Sequence, residues 1–168
     1  VDAEGDGALF WGAHMDIDNH IEVTSFLLEQ EKNPEERKRK AHEQMCRAAE
    51  WGRLLLVEHL LGPLYGVNPS AYNKDGTTAL GVALLHQKMD IAPLLADKHK
   101  ASINPPFDSK FSAQDVVEVC PPLHTNIAYL DNVNWLLKRG ADPKVTVGPD
   151  QWNALDIALH LGATATIE

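Results

Sequence analysis

The stretch His42-Glu43-Gln44-Met45-Cys46 carries the most chemical potential in this chain. His-Glu-x-x-His on a helix sets two metal ligands one turn apart on one face, with a carboxylate beside them to act as general base. Here the fifth residue is Cys46, which zinc would accept, but no third ligand stands out at a companion spacing. The expectation is therefore no metal and no cofactor. Asp16-Ile17-Asp18-Asn19 has the opening of a calcium loop, yet no Gly occupies the sixth place and Leu27 stands where a closing Glu is required. The histidines His14, His20, His59, His86, His99, His124 and His160 are scattered along the chain, which suits capping and surface roles better than ligation. There is no Gly-rich phosphate loop ending in Lys-Ser or Lys-Thr, no Gly-x-Ser-x-Gly elbow and no Ser-x-x-Lys. The usual sequence grounds for proposing an enzyme are missing, and a non-catalytic role is expected.

Charge narrows the partners. The 168 residues hold 15 basic and 24 acidic side chains, a net charge of -9, which opposes attraction to phosphate. Neither nucleic acid nor an anionic membrane is an expected partner. The basic run Arg37-Lys38-Arg39-Lys40 follows directly on Glu35-Glu36 and reads as the solvated face of a helix, with nuclear import as its sharper alternative. No run approaches the roughly 18 apolar residues of a spanning helix, and Val1 to Phe10 has neither the basic start nor the apolar stretch of a signal peptide. Two distant cysteines, Cys46 and Cys120, fit a reducing compartment. The expected location is intracellular, cytoplasmic or nuclear, and the start at Val1 suggests an excerpt of something longer.

Which elements would position these residues is answered by a period. Leu-Leu pairs begin at Leu27, Leu60, Leu94 and Leu136, with spacings of 33, 34 and 42. A second landmark, an apolar residue shortly before a small one, falls at Leu9, Met45, Leu80, Leu123 and Leu155, with spacings of 36, 35, 43 and 32. Both series stretch between the third and fourth units, which places one insertion near 105–119. Pro105-Pro106 and Pro121-Pro122 mark it as a loop.

Period and wording together resemble the ankyrin-repeat family, whose unit is a turn followed by two antiparallel helices. Asp75-Gly76-Thr77-Thr78-Ala79-Leu80 matches the family's turn and first-helix entry, Ala83 its small inner position, and Ile91 with Leu94-Leu95 its second helix. Pro122-Leu123-His124 matches the Pro-Leu-His of the motif, and Trp135 to Pro143 the end of a second helix with a Gly-terminated exit. Cys46 falls where the family places its His. The resemblance implies an all-α ankyrin-repeat solenoid of about five units, the first and last degenerate or incomplete, forming a single domain over 1–168. The units fall near 5–32, 41–72, 73–104, 120–146 and 148–168, with the fourth short by about two residues between its helices.

Local chemistry agrees. Asn33-Pro34-Glu35-Glu36 predicts an N-cap, a proline at the first helical position and a helix running through to Trp51. Asp90 predicts a cap that leaves Pro93 in the first turn, where backbone N–H groups have no intrahelical partner. The Leu-Leu pairs fill the layer between units, and Leu94→Ala is expected to cost about 2 to 5 kcal/mol.

Ankyrin-like stacks bind other proteins through hairpin tips and the exposed face of the first helices. Carried over, that concave surface holds Trp11, His14, Arg47, Glu50, Trp51, Tyr72, Asn73, Lys74, Gln87, Lys88, Tyr129, Gln151 and Trp152. Its Trp and Tyr content suits binding, since these rings bury much area and keep a polar handle. The implied function is a protein-interaction module for another protein or peptide, with the acidic balance favouring a basic segment. The alternative from another class is an unusual enzyme or small-molecule-binding protein using the same groove, with His14, Arg47 or Tyr129 as acid-base groups.

Overall fold

A computed structural model describes residue 7 and residues 20–106 and 120–162. Eight helices follow one another in these residues: α1 (His20–Glu29), α2 (Pro34–Trp51), α3 (Leu54–Leu60), α4 (Ala79–Leu85), α5 (Ile91–Pro93, continued by a π-helical turn Leu94–Lys98), α6 (Pro122–Thr125), α7 (Leu130–Leu137) and α8 (Ala154–Leu161). Among the described residues there is no strand; isolated antiparallel bridges at Tyr72 with Thr78 and Val147 with Trp152 close two hairpins. The fold is all-helical.

α2 starts where its sequence says it should. The Asn33 side-chain oxygen accepts from the backbone N–H groups of Glu35 and Glu36, Pro34 opens the helix, and two acids lie in the first turn against the positive end of the helix dipole. Gly52 ends it at φ 78°, a left-handed angle at which a side chain is strained. Gln87 takes the same backbone turn after α4, at φ 56°.

α2 packs on α4, α4 on α6 and α6 on α8, so the first helices form one continuous row. α3, α5 and α7 each pack back on the helix before them, and α1 lies against α2 and α3. No pair could bury its apolar face alone; the core is one cluster running from Leu28 to Ala158 through every pair. Its inner face is lined by small residues, Ala48, Ala49, Ala79 and Ala83, all 0% exposed, which let the helices of the row approach closely.

The expectation for Leu94 needs correction. The wholly buried leucine of α5 is Leu95, whereas Leu94 is only partly buried. In α3 and α7 the buried member is the first of its pair, Leu60 and Leu136. Leu95 stands fifteen residues after Leu80, as Leu60 stands fifteen after Met45, so in α5 the second member of the pair takes the buried place. Beyond it the N–H of His99 donates to the carbonyl of Leu94 five residues back, a π turn that admits one extra residue. The helix exit shows the same added residue, since the Ala101 N–H returns to Leu95 while the Ala141 N–H returns to Leu136.

The extra residue also leaves Lys100 at φ 55° in the place that Gly140 fills at φ 86° one unit later. A left-handed angle costs a residue with a Cβ about 1 kcal/mol or more. Lys100→Gly is expected to raise stability by about 0.5 to 1 kcal/mol, read as a higher urea midpoint, with part of the relief offset by the freer unfolded chain. An unchanged or lower midpoint would show that the exit is not strained.

The α6/α7 pair is short, and polar contacts hold it. α6 is a single turn, after which Asn126, 0% exposed, donates from Nδ2 to the carbonyls of Gly81 (3.0 Å) and Pro122 (2.9 Å). Asn132 donates to the Leu84 carbonyl at 2.8 Å and to Asn126 Oδ1 at 2.9 Å. Two buried carboxamides thus satisfy helix carbonyls that a full-length α6 would have left to other partners.

Candidate partner-binding surface

His42 is a latch between α2 and the next hairpin. Its Nε2 lies 3.3 Å from the carbonyl oxygen of Ala71, in the hairpin that leads to the next unit. A carbonyl only accepts, so Nε2 carries the proton and the lone pair of the neutral ring lies on Nδ1. Burial holds the ring neutral by lowering its pKa from 6.5 to about 4. Cys46 Sγ is 3.7 Å from the same nitrogen, and burial pushes its thiol well above the ordinary value. Among the described residues no three His, Cys, Asp or Glu side chains converge to hold a metal.

The same latch recurs two units on. His124, buried on α6, donates from Nε2 to the Val145 carbonyl at 3.0 Å, and burial lowers its pKa too. His124 does this one residue after the landmark Leu123, whereas His42 does it three residues before Met45, one turn earlier on its helix. Sequence reading singled out His42 for its spacing to Cys46 and missed this role, because the hairpin carbonyl it reaches lies 29 residues away.

The hairpin at Tyr72–Thr78 is built by Asn73. This residue is 7% exposed; its Oδ1 accepts from the N–H groups of Asp75 (3.0 Å) and Thr77 (2.9 Å) and from the Thr77 hydroxyl (3.1 Å). An Asx turn of this kind replaces missing backbone bonds, so Asn73 shapes the tip instead of presenting itself. Lys74 and Asp75 are the exposed tip residues. The tip is tied to α2 by the Lys74 N–H, which donates to Glu43 Oε1 at 2.9 Å; burial, reinforced by Asp75, raises the Glu43 pKa. Tyr72 is half-buried, donates its hydroxyl to the Pro105 carbonyl at 3.0 Å, and has a pKa pushed up to about 12 by burial.

Along the row of first helices, Glu50 on α2 reaches His86 at the end of α4, with 3.6 Å between carboxylate and ring nitrogen. Gln87 beside it is exposed, and the Lys88 stem lies over Gly52, with Cδ 3.2 Å from where a Cβ would stand there. Arg47 and Trp51 are half-buried on α2. Tyr129, 44% exposed, stands at the start of α7. In the last hairpin Gln151 is exposed; its side chain accepts from the Thr146 hydroxyl at 2.9 Å and donates to the Gly148 carbonyl at 3.0 Å. The Trp152 ring is partly buried against His160, with centroids 4.8 Å apart. Trp11 and His14 lie outside the described residues, as do the whole Asp16–Asn19 segment and all but the first two residues of the 105–119 insertion.

The basic run sits on α2 and is largely absorbed locally. Arg37 donates from Nε and Nη2 to the Glu31 carbonyl (2.9 and 2.7 Å), Arg39 forms a two-pronged pair with Glu36 (2.9 and 2.5 Å), and Lys40 pairs with Glu31 at 2.6 Å. Lys38 is exposed. No helix among the described residues is long and apolar enough to cross a membrane.

Comparison with known proteins agrees with this geometry. The family model described as "Ankyrin repeats (3 copies)" matches residues 45–147, more than half of the chain. A search of curated proteins gives no match. The matched span holds the end of α2 from Met45, the α3, α4/α5 and α6/α7 helices and the Tyr72–Thr78 hairpin, and members of the family are generally protein-interaction modules. The helix pairs, the hairpins between them and the family match together show that this chain belongs to the ankyrin-repeat family.

Proposed function

We propose that the chain binds a protein or peptide through the face formed by its hairpin tips and first helices. One observation carries this reading: side chains with no part in the core gather along that face, with Lys74 and Asp75 at one tip, His86 and Gln87 at the end of α4, Tyr129 before α7 and Gln151 at the last tip. The backbone beneath them is held rigid by the Asn73 turn and the His42 and His124 latches. A rigid scaffold lowers the ordering cost of association. Trp51, Tyr72, Lys88, Arg47 and Trp152 flank these positions with half-buried surface. Asn73 contributes shape, and Trp11 and His14 extend the proposal beyond the described residues. The partner's contacting segment is basic, since Glu50, Asp75 and Asp150 lie along the face of a chain with net charge -9. Such a complex weakens with salt.

The test is affinity capture from extract with the wild type beside a Lys74→Ala, Gln87→Gly, Tyr129→Ala variant, after circular dichroism has shown equal melting. A protein retained by the wild type and lost by at least about tenfold with the variant supports the face, since three contact side chains at about 0.5 to 1 kcal/mol each exceed 1.4 kcal/mol. Equal retention by both removes it.

A further inference from the structure

We infer that acid undocks the Tyr72–Thr78 hairpin from α2, with His42 as the group that lets go. Two neighbouring side chains on α2 hold this hairpin: His42 donates from Nε2 to the Ala71 carbonyl at 3.3 Å, and Glu43 Oε1 accepts from the Lys74 N–H at 2.9 Å. The other bonds of the hairpin do not titrate in weak acid. Asn73 closes the tip from within, Tyr72 donates its hydroxyl to the Pro105 carbonyl, and the Gly76 carbonyl accepts from the Cys120 N–H at 2.8 Å. The tip therefore leaves α2 as a formed loop, still tied to the next unit.

The surroundings of His42 give it this role. Its ring is 8% exposed and meets the Cys46 thiol besides the Ala71 carbonyl. α4, packed on α2, carries no titratable side chain. On α3, Glu58 is paired with Lys98, and His59 shares a hydrogen bond with the Ser25 hydroxyl. On α2, Lys38 stands exposed one turn earlier, while Arg47, with Lys74 and Asp75 of the hairpin, acts on the Glu43 carboxylate. Among the described residues no carboxylate offsets the burial of the ring, so a second ring proton is taken up only where the ring reaches water, and each proton bound holds the hairpin off α2. With the docked ring at about 4 and the free ring at 6.5, the undocked fraction rises about 30-fold through His42 between pH 7.5 and pH 5. Glu43 acts in the opposite sense, since burial lets it bind its proton more readily when docked. Resting on the reading that this tip meets the partner, the consequence is a face held in place at neutral pH and loosened in acid.

Backbone amide exchange followed by NMR at about pH 7.5 and pH 5, corrected for the intrinsic rates, tests this on the chain alone. The Lys74 N–H is expected to lose about 30-fold more protection in the wild type than in His42→Gln, which removes the titrating ring and leaves Glu43 common to both. At pH 5 it is also expected to exchange at least about tenfold faster than the N–H groups of Leu61 and Val133, which are bonded within α3 and α7. That gap is the mark of undocking without unfolding. Should His42→Gln fail to fold, the wild-type gap between Lys74 and the two helix amides, widening from pH 7.5 to pH 5, decides by itself. A Lys74 amide that exchanges in step with the helix amides overturns the inference, and so does one whose pH dependence survives His42→Gln. No partner enters the measurement, so a hairpin that stays docked leaves the binding reading intact, whereas equal capture in the binding test removes that reading and leaves the hairpin result standing.

Discussion

Leu95→Ala is expected to destabilise the protein by about 3 to 5 kcal/mol, while Leu94→Ala costs less than about 1.5 kcal/mol. The two leucines are neighbours of identical chemistry, so propensity and composition cancel and only position differs. Leu95 is 0% exposed within a core that includes Ile91 and Leu84. Truncating it opens a cavity in the middle of the row, where helices held on both sides cannot collapse inward, and this puts the cost in the upper part of the range for buried leucines. Leu94 packs on the edge of the core with part of its side chain in water, so truncation removes little buried area. Urea unfolding of both variants by tryptophan fluorescence measures the pair. Equal losses, or a larger loss at Leu94, would mean that Leu95 is not the core member of the pair in solution.

That reversal marks how far the sequence could be read. The period of Leu-Leu pairs located the second helices, and Asn33-Pro34 and Asp90 located two helix starts, because a cap acts through bonds to residues no more than three positions away. The π turn was not legible: its cause lies in fitting one extra residue between α5 and the next hairpin, and no local signal at Leu94-Leu95 announces it. The candidate surface divides the same way. Residues at hairpin tips, such as Lys74 and Gln151, could be placed from the repeat frame alone. Asn73 was assigned to the surface from its hairpin position, yet its carboxamide turns inward to build the tip. Asn126 and Asn132 drew no attention because an Asn at a loop is ordinary; their partners, the Gly81 and Leu84 carbonyls, lie more than forty residues earlier.

Stability is expected to fall as pH drops from about 6.5 to about 4, by up to about 3 kcal/mol from His42 alone. Above pH 6.5 the ring is neutral folded or unfolded and contributes no pH dependence. Between 6.5 and 4 the unfolded chain takes up a proton that the folded protein refuses, because burial disfavours the charged ring, and the free energy of folding weakens at about 1.4 kcal/mol per unit. Below about 4 both states are protonated and the His42 contribution levels off. His124, lowered by burial as well, adds in the same direction. Its Nδ1 is buried without a hydrogen-bond partner, so a second ring proton would have no acceptor there. Glu43 works the other way: its pKa is raised, so the folded state binds that proton more readily, and stability from this group is gained as pH falls through its folded value. Glu31, Glu36 and Glu58, held below their ordinary value by Lys40, Arg39 and Lys98, add a further loss only at lower pH, as they protonate. The urea midpoint measured from pH 7.5 to pH 4.5 should therefore decline mostly below pH 6.5. In His42→Gln, which keeps an N–H donor for the Ala71 carbonyl but does not titrate, the decline should be shallower by the His42 share. A wild-type midpoint that is flat between pH 7 and pH 5 would mean that His42 takes up its proton in place, and the latch to the hairpin would then have to be a charged one.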